Sequence, residues 1–111
     1  MAWLLRDGEV LAALEIAEDF GARSRGLLGR DGIEGAMLIK PARSVHTVGM
    51  RFPIDVAFCD RNLTVVGTVT MRRFRVSRPR LRVRSVVEAE AGAFERWGLR
   101  PGDRLEIKGE A

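Results

Sequence analysis

Residues 46–55 read HTVGMRFPID, and they are the most informative stretch of the chain. They contain its one histidine, His46, with the Thr47 hydroxyl beside it and the Asp55 carboxylate at the end. A glycine and a proline lie between these polar residues, and both residue types are typical of turns because they release or fix the backbone angle φ. The pattern therefore predicts a shaped loop that carries polar side chains.

Strand patterns lie on both sides of this loop. Residues 54–59 (IDVAFC) and 63–71 (LTVVGTVTM) contain several β-branched residues and flank a turn-forming Asp-Arg-Asn sequence, so they predict a hairpin. Residues 3–6 and 9–17 flank Asp7-Gly8. This pair predicts a second hairpin, because both of its residues tolerate positive φ.

Further short elements complete the chain. Residues 22–28 and 91–97 predict helices that end at Gly29 and Gly98, since glycine is the usual residue just past a helix. Three more strands are predicted at 36–40, 81–87 and 104–108. The strand at 81–87 rests on an alternation of apolar and polar residues with period two. Together the elements predict an α+β fold, with six to eight short, mostly antiparallel strands in a partly closed barrel and two short helices.

Length and composition indicate one ordinary globular domain over residues 1–111. The chain is 46% apolar and 31% charged, which is usual for a soluble protein of this size. Cys59 is its one cysteine, so an internal disulfide is excluded and a reducing compartment is favoured. No apolar run approaches the roughly 18 residues that span a bilayer, and the first residues lack the pattern of a signal peptide. We therefore expect a cytoplasmic protein.

The positive charge is concentrated in residues 72–84, RRFRVSRPRLRVR, which hold seven arginines and no acid. The net charge is +4, so the rest of the chain carries −3 without them. Such a run predicts either nucleic-acid binding or a solvated strand face. The solvated face is favoured because Phe74 is the one aromatic residue available for base stacking. The candidate nucleic-acid-binding residues are Arg72, Arg73, Arg75, Arg78 and Arg80.

The 46–55 loop has two chemical interpretations. In the first, His46 is a general base oriented by Asp55, with Thr47 as a nucleophile or a ligand contact. In the second, Asp55 pins the loop by accepting backbone hydrogen bonds, and Asp55→Ala costs ~1–3 kcal/mol because donors lose their partner. The structural interpretation is favoured. No metal is predicted, because the mixed donors near His46 lack the spacing of known metal motifs.

Five motifs occur in order along the chain: GLLGR (26–30), GAMLIK (35–40), HTVGMRFPIDVAF (46–58), VVEAEAG (86–92) and GLRPGD (98–103). Over about residues 20–107 the chain resembles the domain of unknown function family 192, also called uncharacterised protein family 0127. The resemblance implies a small β-barrel-like fold and no established reaction. It also implies that a characteristic surface is lined by Arg30, His46, Thr47, Met50, Pro53 and Asp55. The family accepts Trp at the His46 position, which argues against an obligate imidazole base.

The favoured hypothesis is a ligand-binding or accessory module, with a polar site at the 46–55 loop. Its partner is then an unknown small molecule or protein, and no cofactor is predicted. The candidate ligand-binding residues are Arg30, His46, Thr47, Met50 and Asp55. We expect Arg30 and Asp55 to face each other, and we expect His46→Ala to fold but lose ligand binding. A hydrolase that uses His46 as its general base is the alternative, and nucleic-acid binding through residues 72–84 is the second alternative.

Overall fold

The computed structural model describes residues 1–109. Seven strands and two short helices occur in these residues. In chain order they are β1 (Ala2–Arg6), β2 (Glu9–Ala17), α1 (Phe20–Arg25), β3 (Ala36–Ile39), β4 (Ile54–Cys59), β5 (Val65–Met71), β6 (Ser85–Glu90), α2 (Ala93–Trp97) and β7 (Leu105–Gly109). Neither helix has the length and apolar character that crossing a bilayer requires.

The strands form one sheet in the order β5-β4-β6-β3-β2-β1-β7. Only β2 and β3 pair in parallel, and the other neighbours pair in antiparallel fashion. The outer strands meet at one end, where Thr64 and Arg104 form an isolated bridge and the Leu105 amide donates to the Leu63 carbonyl. The sheet is not closed beyond this contact. The predicted α+β fold is confirmed, whereas the predicted partly closed barrel fits only loosely.

Two apolar cores lie on opposite faces of the sheet. The first draws on all seven strands and packs against Phe94 of α2. The second lies over β3, β4 and β6 and is covered by the segments around Leu27, Val45 and Met50. Every residue of β4 is buried, because both of its faces pack against a core. The position of β4 between the two cores explains its nearly continuous apolar sequence.

Local turn chemistry positions the first three strands. Asp7 and Gly8 both have positive φ, at 52° and 77°, as the predicted hairpin requires. Gly35 precedes β3 with φ +76°, and a Cβ added there would lie 2.4 Å from the Ala13 carbonyl oxygen. Glycine at position 35 therefore allows the parallel pairing of β2 with β3, because any side chain would collide with the neighbouring backbone.

Two predicted elements are displaced from their predicted positions. The helix predicted at 22–28 is α1 at Phe20–Arg25, because the Asp19 carboxylate accepts the Ala22 amide at 2.7 Å and starts the helix earlier. The strand predicted at 81–87 begins only at Ser85. The Val83 amide donates to the Arg80 carbonyl and forms a turn, so the alternating residues before Ser85 do not belong to a pleated strand.

Candidate functional site: a cleft above Glu88

A cleft of about 290 Å³ opens over the second core. Its walls are α1 with the segment that follows it, and residues 39–46. The lining is largely apolar and includes Leu27, Leu28, Ile39, Val45 and Met50. Four side chains that can carry a charge interrupt it: Arg23, Arg25, His46 and Glu88. A concave, mostly apolar lining with a few polar groups is the usual composition of a small-molecule site.

Glu88 lies on β6, an inner strand that pairs with β3 and β4. Its cross-strand neighbours are Met37 and Val56, so its side chain shares a face with the second apolar core. The residue is 3% exposed, and within residues 1–109 no group donates a hydrogen bond to its carboxyl. Burial raises the pKa of Glu88 from 4.5 to about 7, because the charged form loses its hydration.

Arg23 supplies the second polar group of the cleft. Its Nη1 donates to the Pro41 carbonyl at 3.1 Å, which ties α1 to the segment after β3. Its Nε is buried and has no partner among the described residues. Buried polar groups in proteins are normally hydrogen-bonded. The cleft thus contains an acid and a guanidinium that both keep unused hydrogen-bonding capacity.

His46 is exposed at the edge of the cleft, whereas its neighbour Thr47 is completely buried. The Thr47 hydroxyl donates to the Arg72 carbonyl and accepts the Arg75 amide at 2.8 Å. Thr47 therefore connects the 46–55 loop to residues 72–76 through buried hydrogen bonds. Of the five predicted ligand-binding residues, only His46 and Met50 line the cleft.

Asp55 lies on the opposite side of β4 from this cleft and has a structural role. One carboxylate oxygen accepts the Thr70 hydroxyl at 2.6 Å. The other oxygen accepts the amides of Gly92 and Phe94 at 3.0 and 3.1 Å. Gly92 is the N-cap residue of α2 and has no capping side chain of its own, and Phe94 is the second residue of the helix. Asp55 therefore caps the helix from a neighbouring strand, and the structural interpretation of this carboxylate is confirmed.

The predicted pairing of Arg30 with Asp55 is wrong. The Arg30 guanidinium instead binds both Glu15 oxygens, at 2.7 and 2.9 Å. This hydrogen bonding lowers the pKa of Glu15. Arg30 follows α1 and faces β2, while the Asp55 oxygens are occupied by Thr70 and by the start of α2. Both partners of the observed ion pair are well exposed, so the pair contributes little to stability.

The arginines of residues 72–84 are distributed between two roles. Arg80 lies over the Phe58 ring, with its Cζ 4.0 Å from the ring centroid. Arg84 donates to the carbonyls of Leu81 and Val83. Arg80 therefore contacts β4, and Arg84 binds within its own segment. All seven arginines are exposed, and among the described residues none of them forms an ion pair.

The sequence analysis did not identify Glu88 or Arg23 as candidate site residues. The signal for Glu88 was present in residues 85–89, SVVEA, where one acid interrupts a buried central strand. Arg23 carried no such signal, because an arginine in a short helix is usually solvated. Within residues 1–109, no three His, Cys, Asp or Glu side chains meet in an arrangement that could hold a metal ion.

Comparison with known proteins gives consistent matches over almost the whole chain. The family model described as "Uncharacterized ACR, COG1430" (DUF192) matches residues 2–107. The UPF0127 protein PH1112 of Pyrococcus horikoshii is 30% identical over 90% of this chain and 88% of its own length. The UPF0127 protein PF1050 of Pyrococcus furiosus is also 30% identical, over 88% of this chain and 89% of its own.

Two solved structures share the fold. Protein R01717 of Sinorhizobium meliloti 1021 superposes with a TM-score of 0.80 at 25% identity, and the match covers 96% of this chain and 91% of that one. A protein of unknown function from Novosphingobium aromaticivorans superposes with a TM-score of 0.78 at 18% identity, over 95% and 82% of the two chains. Sequence and fold together show that this chain belongs to the DUF192 (UPF0127) family, whose function is unknown.

Proposed function

We propose that this protein is a ligand-binding domain and that its site is the cleft above Glu88. The observation that carries the proposal is the Glu88 carboxyl, which is buried, unpartnered and part of the cleft lining. A strongly perturbed acid in a cleft is a recognised indicator of a functional site. The presence of His46 and Met50 in the same lining supports a site that includes part of the 46–55 loop.

The contrast with Asp55 supports this proposal. Both carboxyls are almost fully buried, at 4% and 3% exposure for Asp55 and Glu88. Asp55 receives three hydrogen bonds and holds α2 in place. Glu88 receives none, and its ionised form destabilises the fold by about 3 kcal/mol at neutral pH. An apolar residue would fit β6 better, so we attribute this acid to ligand binding.

The other predicted residues have supporting roles in this proposal. His46 and Met50 contact the ligand at the edge and in the wall of the cleft. Thr47 joins the loop to residues 72–76, Asp55 joins β4 to β5 and α2, and Arg30 pairs with Glu15 at the surface. We also propose a cytoplasmic location, which is supported by a single, completely buried cysteine, Cys59.

A variant with a blocked cleft tests the proposal directly. Ser44 is an exposed residue in the cleft lining, so Ser44→Trp should fill the opening without disturbing either core. The matched control is Lys108→Trp on the exposed face of β7. We expect a fragment library to shift resonances of cleft residues in the wild type and in Lys108→Trp, and to lose them in Ser44→Trp. A library that produces no shift at the wild-type cleft would refute the proposal.

Proton transfer is a second candidate function, and the pKa of Glu88 favours it. A general acid or base works best when its pKa lies near the operating pH, and that of Glu88 is about 7. His46 fits this role less well, because Asp55 does not orient it. If a bound fragment is converted, Glu88→Gln should abolish turnover and retain binding. Equal turnover by Glu88→Gln and wild type would exclude this role.

Nucleic-acid binding through Arg72, Arg73, Arg75 and Arg78 stays a third proposal. It is supported by their exposure and by their lack of acidic partners among residues 1–109. Salt-sensitive retention of labelled single-stranded RNA or DNA in a mobility assay is the expected result. No retention at low salt would count against it.

A further inference from the structure

We infer that the cleft above Glu88 takes a small organic carboxylate with an apolar body. The inference rests on the proposed function and adds the chemical class of the ligand. It is based on three features of the cleft: the sign of its charge, the free edge of one guanidinium, and the position of one acid in an apolar wall.

The cleft lining has an excess of positive charge. Arg23 and Arg25 both contribute from α1, and neither forms an ion pair among the described residues. Glu88 is the one acid in the lining, and it is neutral below its pKa of about 7. Arginines without a counter-charge, placed around a cleft with a largely apolar lining, favour an anionic guest.

Arg23 has the right donors for a carboxylate. Its Nη1 is already committed to the Pro41 carbonyl, which fixes the orientation of the guanidinium plane. The unpartnered Nε and the adjacent Nη2 form one edge of that plane. Two parallel N–H donors on one edge match the two oxygens of a carboxylate.

The remaining lining selects the body of the guest. Leu27, Leu28, Ile39, Val45 and Met50 line the cleft, and they offer apolar contact without hydrogen bonds. The volume of about 290 Å³ admits a guest of only a few carbon atoms. A phosphate dianion would use these walls poorly, since it needs more donors than one arginine edge supplies. A short-chain carboxylate satisfies the arginine and the apolar wall together.

Glu88 makes this binding dependent on pH. Its charged form would repel a carboxylate in the same cleft, so the neutral form is the one that binds. The other charged or titratable side chains in the lining are Arg23, Arg25 and His46. Glu90, two positions further along β6, is paired with Arg96. Because the pKa of Glu88 is about 7, the neutral fraction and hence the affinity should fall about tenfold between pH 6 and pH 8.

A matched set of probes tests the class of ligand. Amide chemical shifts of the full chain are followed while n-butyrate, butyramide, n-butylamine or inorganic phosphate is added at pH 6. We expect n-butyrate to shift the cleft amides with a dissociation constant at least tenfold below those of the other three. Arg23→Gln should weaken n-butyrate binding about tenfold, and Arg23→Lys should restore only part of it because lysine lacks the paired donors.

The outcomes separate this inference from the proposed function. If butyramide or n-butylamine binds the cleft as well as n-butyrate, the anion class is overturned while ligand binding stands. If phosphate binds best, the carboxylate class is overturned in the same way. If the fragment library finds cleft ligands but n-butyrate does not bind, the class is again wrong. Only a cleft that binds no fragment at all refutes the proposed function itself.

Two variants show which residue causes the pH dependence of n-butyrate binding. His46 is the remaining ionisable side chain of the lining apart from the two arginines, so His46→Asn is the control for Glu88→Gln. We expect n-butyrate affinity to fall about tenfold from pH 6 to pH 8 in the wild type and in His46→Asn, and to stay level in Glu88→Gln. Loss of the pH dependence in His46→Asn, with its retention in Glu88→Gln, would overturn the assigned role of Glu88.

Discussion

Removal of the Asp55 carboxylate should destabilise the protein more than any exposed substitution. Asp55 joins three parts of the fold, because it lies on β4 and accepts hydrogen bonds from Thr70 on β5 and from the first amides of α2. Asp55→Ala removes all three bonds and leaves α2 without a cap. The α2 helix spans only Ala93–Trp97, so it has little capacity to form by itself.

The size of the effect follows from the burial of each donor. The Phe94 amide is buried and the Gly92 amide is partly buried, so each loses its partner without gaining full access to water. An unsatisfied buried donor costs about 1–3 kcal/mol, and the exposed Thr70 hydroxyl can bond to water instead. We therefore expect a loss of about 3 kcal/mol, which corresponds to a fall in melting temperature of about 12 °C for a chain of this length.

Calorimetry on a graded series of variants measures this loss. Asp55→Asn keeps the volume and one acceptor oxygen, and it should lose roughly half as much as Asp55→Ala. Thr70→Val removes one hydrogen bond at the exposed end and should lose least. Asp31→Ala is the control, because its ion pair with Arg51 is exposed and its melting temperature should stay within about 2 °C of wild type.

The reasoning would be refuted if Asp55→Ala melted within about 3 °C of wild type while its α2 amides stayed protected from hydrogen exchange. That result would show that α2 forms without its cap. It would also leave the Asp55 carboxylate available for ligand binding, which the sequence analysis predicted.

Three further effects are expected. Burial raises the pKa of Glu88 from 4.5 to about 7, so the folded state retains a proton that the unfolded state releases, and stability falls as pH rises from about 4.5 to 7. Urea unfolding should show Glu88→Gln about 3 kcal/mol more stable than wild type at pH 8 and similar at pH 4; a parallel pH dependence in both proteins would contradict this. Burial also raises the pKa of the Cys59 thiol to about 12, so iodoacetamide should label it only after unfolding, and rapid labelling of the native protein would be the contrary result. Arg80→Ala should cost about 1 kcal/mol through its contact with Phe58, whereas the exposed Arg78→Ala should leave the melting temperature unchanged; equal melting temperatures would remove the stacking role.

Much of the fold could be predicted because its signals are local. The Asp7-Gly8 turn, the apolar run of β4 and the helix end at Gly98 each depend on residues adjacent in the chain. The parallel pairing of β2 with β3 was not predicted, because Gly35 relieves a collision with the backbone of Ala13, which is distant in sequence. The two displaced elements have local causes that the sequence analysis did not recognise: the Asp19 cap of α1 and the turn that joins Arg80 to Val83. Leu81 alternates with polar neighbours as a strand residue would, yet it is 87% exposed in a turn.

Only part of the candidate site could be predicted from the sequence. The composition of the 46–55 loop predicted a polar site there, which stays a prediction, and two of its residues, His46 and Met50, line the cleft. The partner of each polar side chain was not predictable, because the partners are distant in sequence. Asp55 binds amides 37 and 39 positions away, and Arg30 binds an acid 15 positions before it.

Glu88 shows most clearly what the tertiary structure decided. The sequence determined that an acid interrupts an apolar run, but a strand at the edge of the sheet would have left that acid in water. The pairing of β6 between β3 and β4 buries it instead, and α1 with the 46–50 segment forms the cleft around it. Hydrophobic pattern and turn chemistry specify strands, whereas the order of strands in the sheet sets the dielectric surroundings of each side chain. Those surroundings make one glutamate of this chain the candidate centre of its function.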